Sequence, residues 1–88
     1  MLATDDPAAA YLAEVGRICA ANPGLVPLAG GILAALCLDI ADSRHFSRTF
    51  GVEHSLVLRE VQELEESGRL IVTRRDGRTQ RCCYAAPN

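Results

Sequence analysis

The fourteen residues from Leu25 to Leu38 contain no charged, amide or hydroxyl side chain. Such a run has to be buried, yet it is too short to cross a bilayer, which takes about 20 apolar residues. Leu28, Ile32, Leu33, Leu36 and Ile40 recur at helical spacing. They predict a central buried helix over about Pro27 to Ala41, with the rest of the chain wrapped around it. Gly30 and Gly31 inside that helix point to close packing against a neighbour. An 88-residue chain whose aromatics are only Tyr11, Phe46, Phe50 and Tyr84 must fill its core with aliphatic side chains and alanine. The apolar fraction of 49% still suffices for a globular domain rather than a disordered chain. One domain of this size folds with little to spare and is small for an enzyme, which needs a shaped pocket of roughly 300 Å³ or more. The chain reads as a small binding module.

The other elements follow from spacing and punctuation. Asp5-Asp6-Pro7 starts a first helix over about residues 7–21, with Tyr11, Leu12, Val15, Ile18 and Cys19 on one face. Asn22-Pro23-Gly24 ends it. Asp42-Ser43 caps a short helix over about Ser43 to Phe50, and Gly51 supplies the left-handed turn after it. A fourth helix, about Glu53 to Ser67, carries the stripe Val57, Val61, Leu64 and stops at Gly68. Leu70 to Arg75 and Gln80 to Ala86 read as two strands around Asp76-Gly77, a strong hairpin signal.

Charge is polarised along this order. Residues 1–42 hold one Arg against five acids, whereas residues 43–88 hold eight Arg against six. From Arg69 to Arg81 there are five Arg and one Asp. Codon bias accounts for the absence of Lys, so the clustering is the informative part. It is a pattern suited to phosphates.

Phe46 to Gly68, with its Gly51-Val52 turn, its Val57/Val61/Leu64 stripe and its Leu64-Glu65-Glu66-Ser67-Gly68 exit into an Arg-rich hairpin, resembles the helix-turn-helix of bacterial MarR- and ArsR-like regulators. The resemblance extends over roughly residues 28–86. It implies a mainly α fold with a small β-hairpin: a winged helix-turn-helix with a three-helix core, an N-terminal helix, a helix-turn-helix over about 43–67 and a wing over about 69–86. It further implies sequence-specific binding of double-stranded DNA, as in transcriptional regulation.

With the Val57/Val61/Leu64 stripe turned inward, 100° per residue places Ser55, Arg59, Gln62 and Glu66 outward. Arg59 suits guanine and Gln62 adenine, while His54 and Ser55 at the helix start suit bases or phosphates. Arg74, Arg75, Arg78 and Arg81 cluster near the hairpin tip, and Arg44 and Arg48 on the preceding helix suit backbone phosphates. Each also has a plainer reading: Arg59 paired with Glu63, the hairpin a solvated loop, Arg44 or Arg48 mere surface. Glu53 stands where the family usually caps with Ser or Thr. Glu60, Glu63, Glu65 and Glu66 make the reading helix acidic, with Arg69 a partner for the last two. These departures keep open a winged helix that binds a protein partner instead of DNA.

No catalytic, cofactor or metal set is read. Cys19 and Cys37 fall on apolar helix faces as core residues, and Cys82 and Cys83 point to opposite faces of a strand. The Cys-x-Cys thiolate motif of ArsR-like metal sensors has no counterpart near the reading helix. His45 and His54 are too isolated for zinc. The opening residues lack the cationic start and apolar run of a secretory signal, so a cytoplasmic protein with reduced thiols is expected. A homodimer is expected through the face Tyr11, Leu12, Val15, Ile18 and Cys19, leaving reading helix and wing free. The alternative is that this face closes the monomer's own core. No operator, gene or effector is named by the residues.

Overall fold

The four helices and two strands read from the sequence form, with shifted bounds, in a computed structural model that describes residues 7–87. The Asp5-Asp6 cap expected ahead of the first helix lies outside the described residues. Helices α1 (Pro7–Ala21), α2 (Pro27–Ala35), α3 (Ser43–Phe50) and α4 (His54–Glu66) precede an antiparallel hairpin of β1 (Ile71–Arg75) and β2 (Cys82–Ala85). The chain is mainly helical with a small hairpin at its end.

The central helix is shorter than its hydrophobicity predicts. It tightens into a 3-10 turn over Leu36–Leu38 and stops at Asp39, whose φ of 61° is left-handed. The Ile40 amide donates back to the Ala35 carbonyl at 3.1 Å, a Schellman-type closure. Aspartate tolerates that conformation but rarely advertises it, so the pattern alone overshoots to Ala41. The buried face also differs. Ala29, Gly30, Gly31, Ile32, Ala34 and Ala35 are buried, while Leu28, Leu33 and Leu36 are half-buried. A helix covered on several sides is approached most closely along its small residues. A Cβ on Gly30 would lie 2.6 Å from the Cys19 sulfur, and one on Gly31 2.8 Å from the Tyr11 hydroxyl.

Phe46, Val57, Val61, Leu64, Leu70, Cys82 and Tyr84 complete the core with Ile32, Ala35 and Ile40. Phe46 and Phe50 pack with centroids 4.6 Å apart, and Tyr11 of α1 stacks on Phe50 at 5.0 Å. Between α3 and α4, Gly51 takes φ 67° and its amide closes on Ser47. That position favours glycine for lack of a Cβ.

The hairpin connection is longer than an Asp-Gly turn. Six residues, Asp76–Arg81, are closed by the Asp76 amide donating to the Arg81 carbonyl at 2.9 Å. The Asp76 carboxylate accepts the Arg78 amide at 2.9 Å, and Gln80 takes φ 61°. Pairing runs Ile71 with Ala85 and Val72 with Tyr84, then slips by one residue at Thr73 before Arg74 meets Cys83. Asp42 forms a bridge with Cys83, and the Tyr84 amide donates to Ala41. The segment ahead of α3 thus lies along the free edge of β2.

Candidate nucleic-acid interface

Two facts of local folding bring the arginines of α3 and the hairpin loop together. Asp42 caps α3 by accepting the His45 amide at 2.8 Å, so Arg44 projects from the first turn. Its Nε and Nη2 both donate to the Thr79 carbonyl, at 3.2 and 2.7 Å. This bifurcated bond pulls the loop tip against the helix. The result is a groove of about 480 Å³ lined by Arg44, Ser47, Arg48, Arg78, Thr79 and Arg81, with no carboxylate among its walls. Like charges held in one concave surface create a potential that concentrates anions there.

Arg81 also borders a second cleft, about 350 Å³, between the hairpin and α4, where Leu58, Gln62, Arg75 and Gln80 meet. Ser55, Arg59 and Gln62 are exposed along the adjoining edge of α4. Asp76 shares this cleft, and the carboxylates of α4 are disposed around it in different ways. Glu60 and Glu63 line a notch on the other flank, against Leu25, Val26 and Ala29 at the start of α2. Glu65 is paired with Arg75 at 2.6 Å, and Glu66 accepts from Gln62 at 3.3 Å.

Most of the sequence-predicted arginines therefore gather on one side, though in different states. Among the described residues, the side chains of Arg48, Arg59, Arg74 and Arg78 have no hydrogen-bond or ion-pair partner. The pairing of Arg59 with Glu63 is not formed. Arg81 lies 3.6 Å from Asp42, and Arg44 and Arg75 are tied as above. Arg69 donates to Asn22 at 3.3 and 3.4 Å and not to Glu65 or Glu66, joining the end of α4 to the end of α1.

His54 departs from expectation. It is half-buried, and its Nε2 lies 2.8 Å from the hydroxyl of Ser43, which is 0% exposed and accepts the Cys82 amide at 2.9 Å. There it pins the start of α4 to α3 and β2. Burial, reinforced by Arg44 and opposed by Asp42, holds its pKa below the ordinary histidine value, with Arg81 adding to the lowering. A Ser–His contact suggests a nucleophile and base, but this hydroxyl is sealed from any substrate. Nothing in the sequence announces that residues 43, 54 and 82 converge. The same holds for Thr79, which contributes only its carbonyl.

Comparison with protein-family models, curated proteins and solved structures finds no match. The described residues place no group of three or more His, Cys, Asp or Glu to hold a metal ion, and none of their helices is long and apolar enough to cross a membrane. Cys82 is buried, and Cys37, expected in the core, is exposed because the helix has already tightened and turned there.

The face expected to form a dimer is largely used within the chain. The Tyr11 hydroxyl donates to the Gly31 carbonyl at 3.1 Å, Val15 and Cys19 pack at Gly30, and Ile18 is half-buried. Leu12 alone of the five stays outside, 67% exposed. It forms one wall of an apolar groove of about 300 Å³ whose other walls are Pro7, Ala8, Tyr11, Leu38 and Phe50.

Proposed function

We propose that the protein is a winged-helix DNA-binding protein, a transcriptional regulator that lays α4 in the major groove and grips phosphates with the hairpin as wing. The observation that carries this reading is the Arg44/Arg48/Arg78/Arg81 groove lying beside the exposed Ser55, Arg59 and Gln62 of α4. The order helix, edge segment at 41–42, helix, turn, helix, hairpin supports it, as does the resemblance of residues 46–68 to MarR- and ArsR-like regulators. The carboxylates that argued against DNA weigh less once Glu60 and Glu63 are on the far flank of α4 and Glu65 is neutralised by Arg75. In this reading Arg59 and Gln62 read base edges, Arg48, Arg74 and Arg78 meet phosphates directly, and Arg44 and Arg81 hold the loop in shape while adding positive charge.

A major-groove helix this short reads few base pairs, so two copies on a two-fold axis serve specificity. The second copy docks on the Leu12 groove, because an exposed knob beside an apolar hole on one face is what an isologous contact requires. Among the described residues Glu14 pairs with Arg17 within α1, and the side chains that line the groove are uncharged.

Titrating the protein into a random-sequence duplex at increasing salt tests the reading. Binding that weakens linearly in log–log form, by about 0.9 per phosphate contacted, is expected. Absence of binding even at low salt overturns it in favour of a protein partner. Site selection from a random pool then gives the preferred sequence.

A further inference from the structure

We propose that His54 couples duplex binding to proton uptake, so that the wing groove holds DNA more tightly as pH falls. This rests on the DNA-binding reading above and adds a regulation to the same site.

The argument starts from position. His54 is the first residue of α4 and sits behind the arginine groove, linked through the Ser43 hydroxyl to the amide of Cys82. Ser43 is followed by Arg44 and Cys82 is preceded by Arg81, so the relay and the groove share their backbone. The charged groups acting on the imidazole come from three directions: Asp42 ahead of α3, Arg44 on α3 and Arg81 beside β2. Glu53, its neighbour just ahead of α4, is exposed, and the Cys82 thiol is buried and kept neutral.

The Ser43 contact holds the ring beside the arginines that oppose its charge. The Ser43 hydroxyl accepts from the Cys82 amide and lies 2.8 Å from His54 Nε2, where it donates or accepts according to the protonation of the ring. Protonation places a positive charge on this half-buried ring. Two guanidinium groups oppose the same proton. Burial and charge therefore lower the histidine's affinity for a proton in the free protein.

A phosphate backbone in the groove cancels part of the Arg44 and Arg81 field. The proton is then less opposed, and thermodynamic linkage requires that what favours protonation in the complex makes protonation favour the complex. The sign is fixed: affinity is flat above the bound-state midpoint and rises as pH falls through it toward the lower free-state midpoint. A midpoint raised by about half to one unit corresponds to about three- to ten-fold in affinity.

The test measures binding of a random-sequence duplex at fixed ionic strength across the histidine range, for the wild type, His54→Gln and His45→Gln. Glutamine keeps a hydrogen-bonding nitrogen near Ser43 but does not titrate, and exposed His45 controls for histidines in general. The wild type and His45→Gln are expected to gain three- to ten-fold toward acid, and His54→Gln to lose most of that gain. An NMR titration of the His54 imidazole in the wild type, free and DNA-bound, gives the same answer without a variant: its midpoint is expected to rise on binding. Binding whose pH dependence survives His54→Gln, or a midpoint that stays put or falls, overturns the coupling alone. No binding at any pH overturns the DNA reading and the coupling with it.

Discussion

Arg59 and Arg78 are both exposed and both unpaired among the described residues, yet they stand at different places on the proposed interface. Arg78→Ala is expected to weaken binding to all sequences alike and to lower the salt slope by roughly one contact. Arg59→Ala is expected to relax preference at one base position, by about 1–3 kcal/mol there. A panel of duplexes at several salt concentrations separates them; identical behaviour of the two variants removes the distinction between reader and wing. His54 makes a residue-scale statement about stability as well. Its folded-state pKa lies below the unfolded one, so the unfolded chain takes the proton first. The stability it contributes is complete above about pH 6.5 and is lost as pH falls through the lower folded value. Urea midpoints recorded between about pH 7.5 and pH 5 are expected to decline in the wild type and less in His54→Gln. An equal decline in both assigns the loss elsewhere. Asp76 has the same sign but titrates in more acid solution, its carboxylate held down by the Arg78 amide.

At the scale of elements, the joint between α1 and α2 is the tightest. Tyr11 and Cys19 close on a helix face that has no side chain at Gly30 and Gly31. Gly31→Val is expected to lever Tyr11 off its carbonyl and off Phe50, destabilising the fold by about 1–3 kcal/mol despite a better helix propensity. Urea denaturation measures the loss, and hydrogen exchange is expected to place it in α1; an unchanged midpoint means the joint is slack. This joint was half legible: two glycines in an apolar helix announced a close neighbour, but not which one. Helix starts at Pro27 and Ser43 and the stop at Phe50 were legible because proline, aspartate and glycine fix them chemically. The end of α2 at Asp39 and the six-residue loop after Arg75 were not, since Asp39 and Gln80 adopt left-handed backbone without the glycine that signals it. The arginine cluster could be counted along the chain. Its division into free and tied members could not, because the ties of Arg44, Arg75 and Arg81 depend on how α3, α4 and the hairpin meet.

For the whole molecule, the quantity that the proposed DNA binding turns on is how many copies meet one site. The chain measures 47 Å along its longest axis and 24–25 Å across, and α1 contributes no buried residue. A 15-residue helix is about 22 Å long, so a seam along α1 with Leu12 seated in its partner's groove falls at the low end of stable interface areas. The dimer is therefore expected to be weak in free solution and to complete itself when a two-fold operator holds two chains together, with half-site centres about 34–36 Å apart. Leu12 tests this cleanly because its exposure of 67% makes it dispensable to the monomer. Leu12→Glu is expected to leave the urea midpoint and single-site binding unchanged, while desolvating a carboxylate at the seam removes cooperative binding to a palindromic site. Light scattering checks the same point: the wild type on DNA is expected to add twice 9.5 kDa per operator, and the variant to add 9.5 kDa at the same concentration. A wild type that adds only one chain per operator at micromolar concentration leaves the Leu12 groove without its second copy.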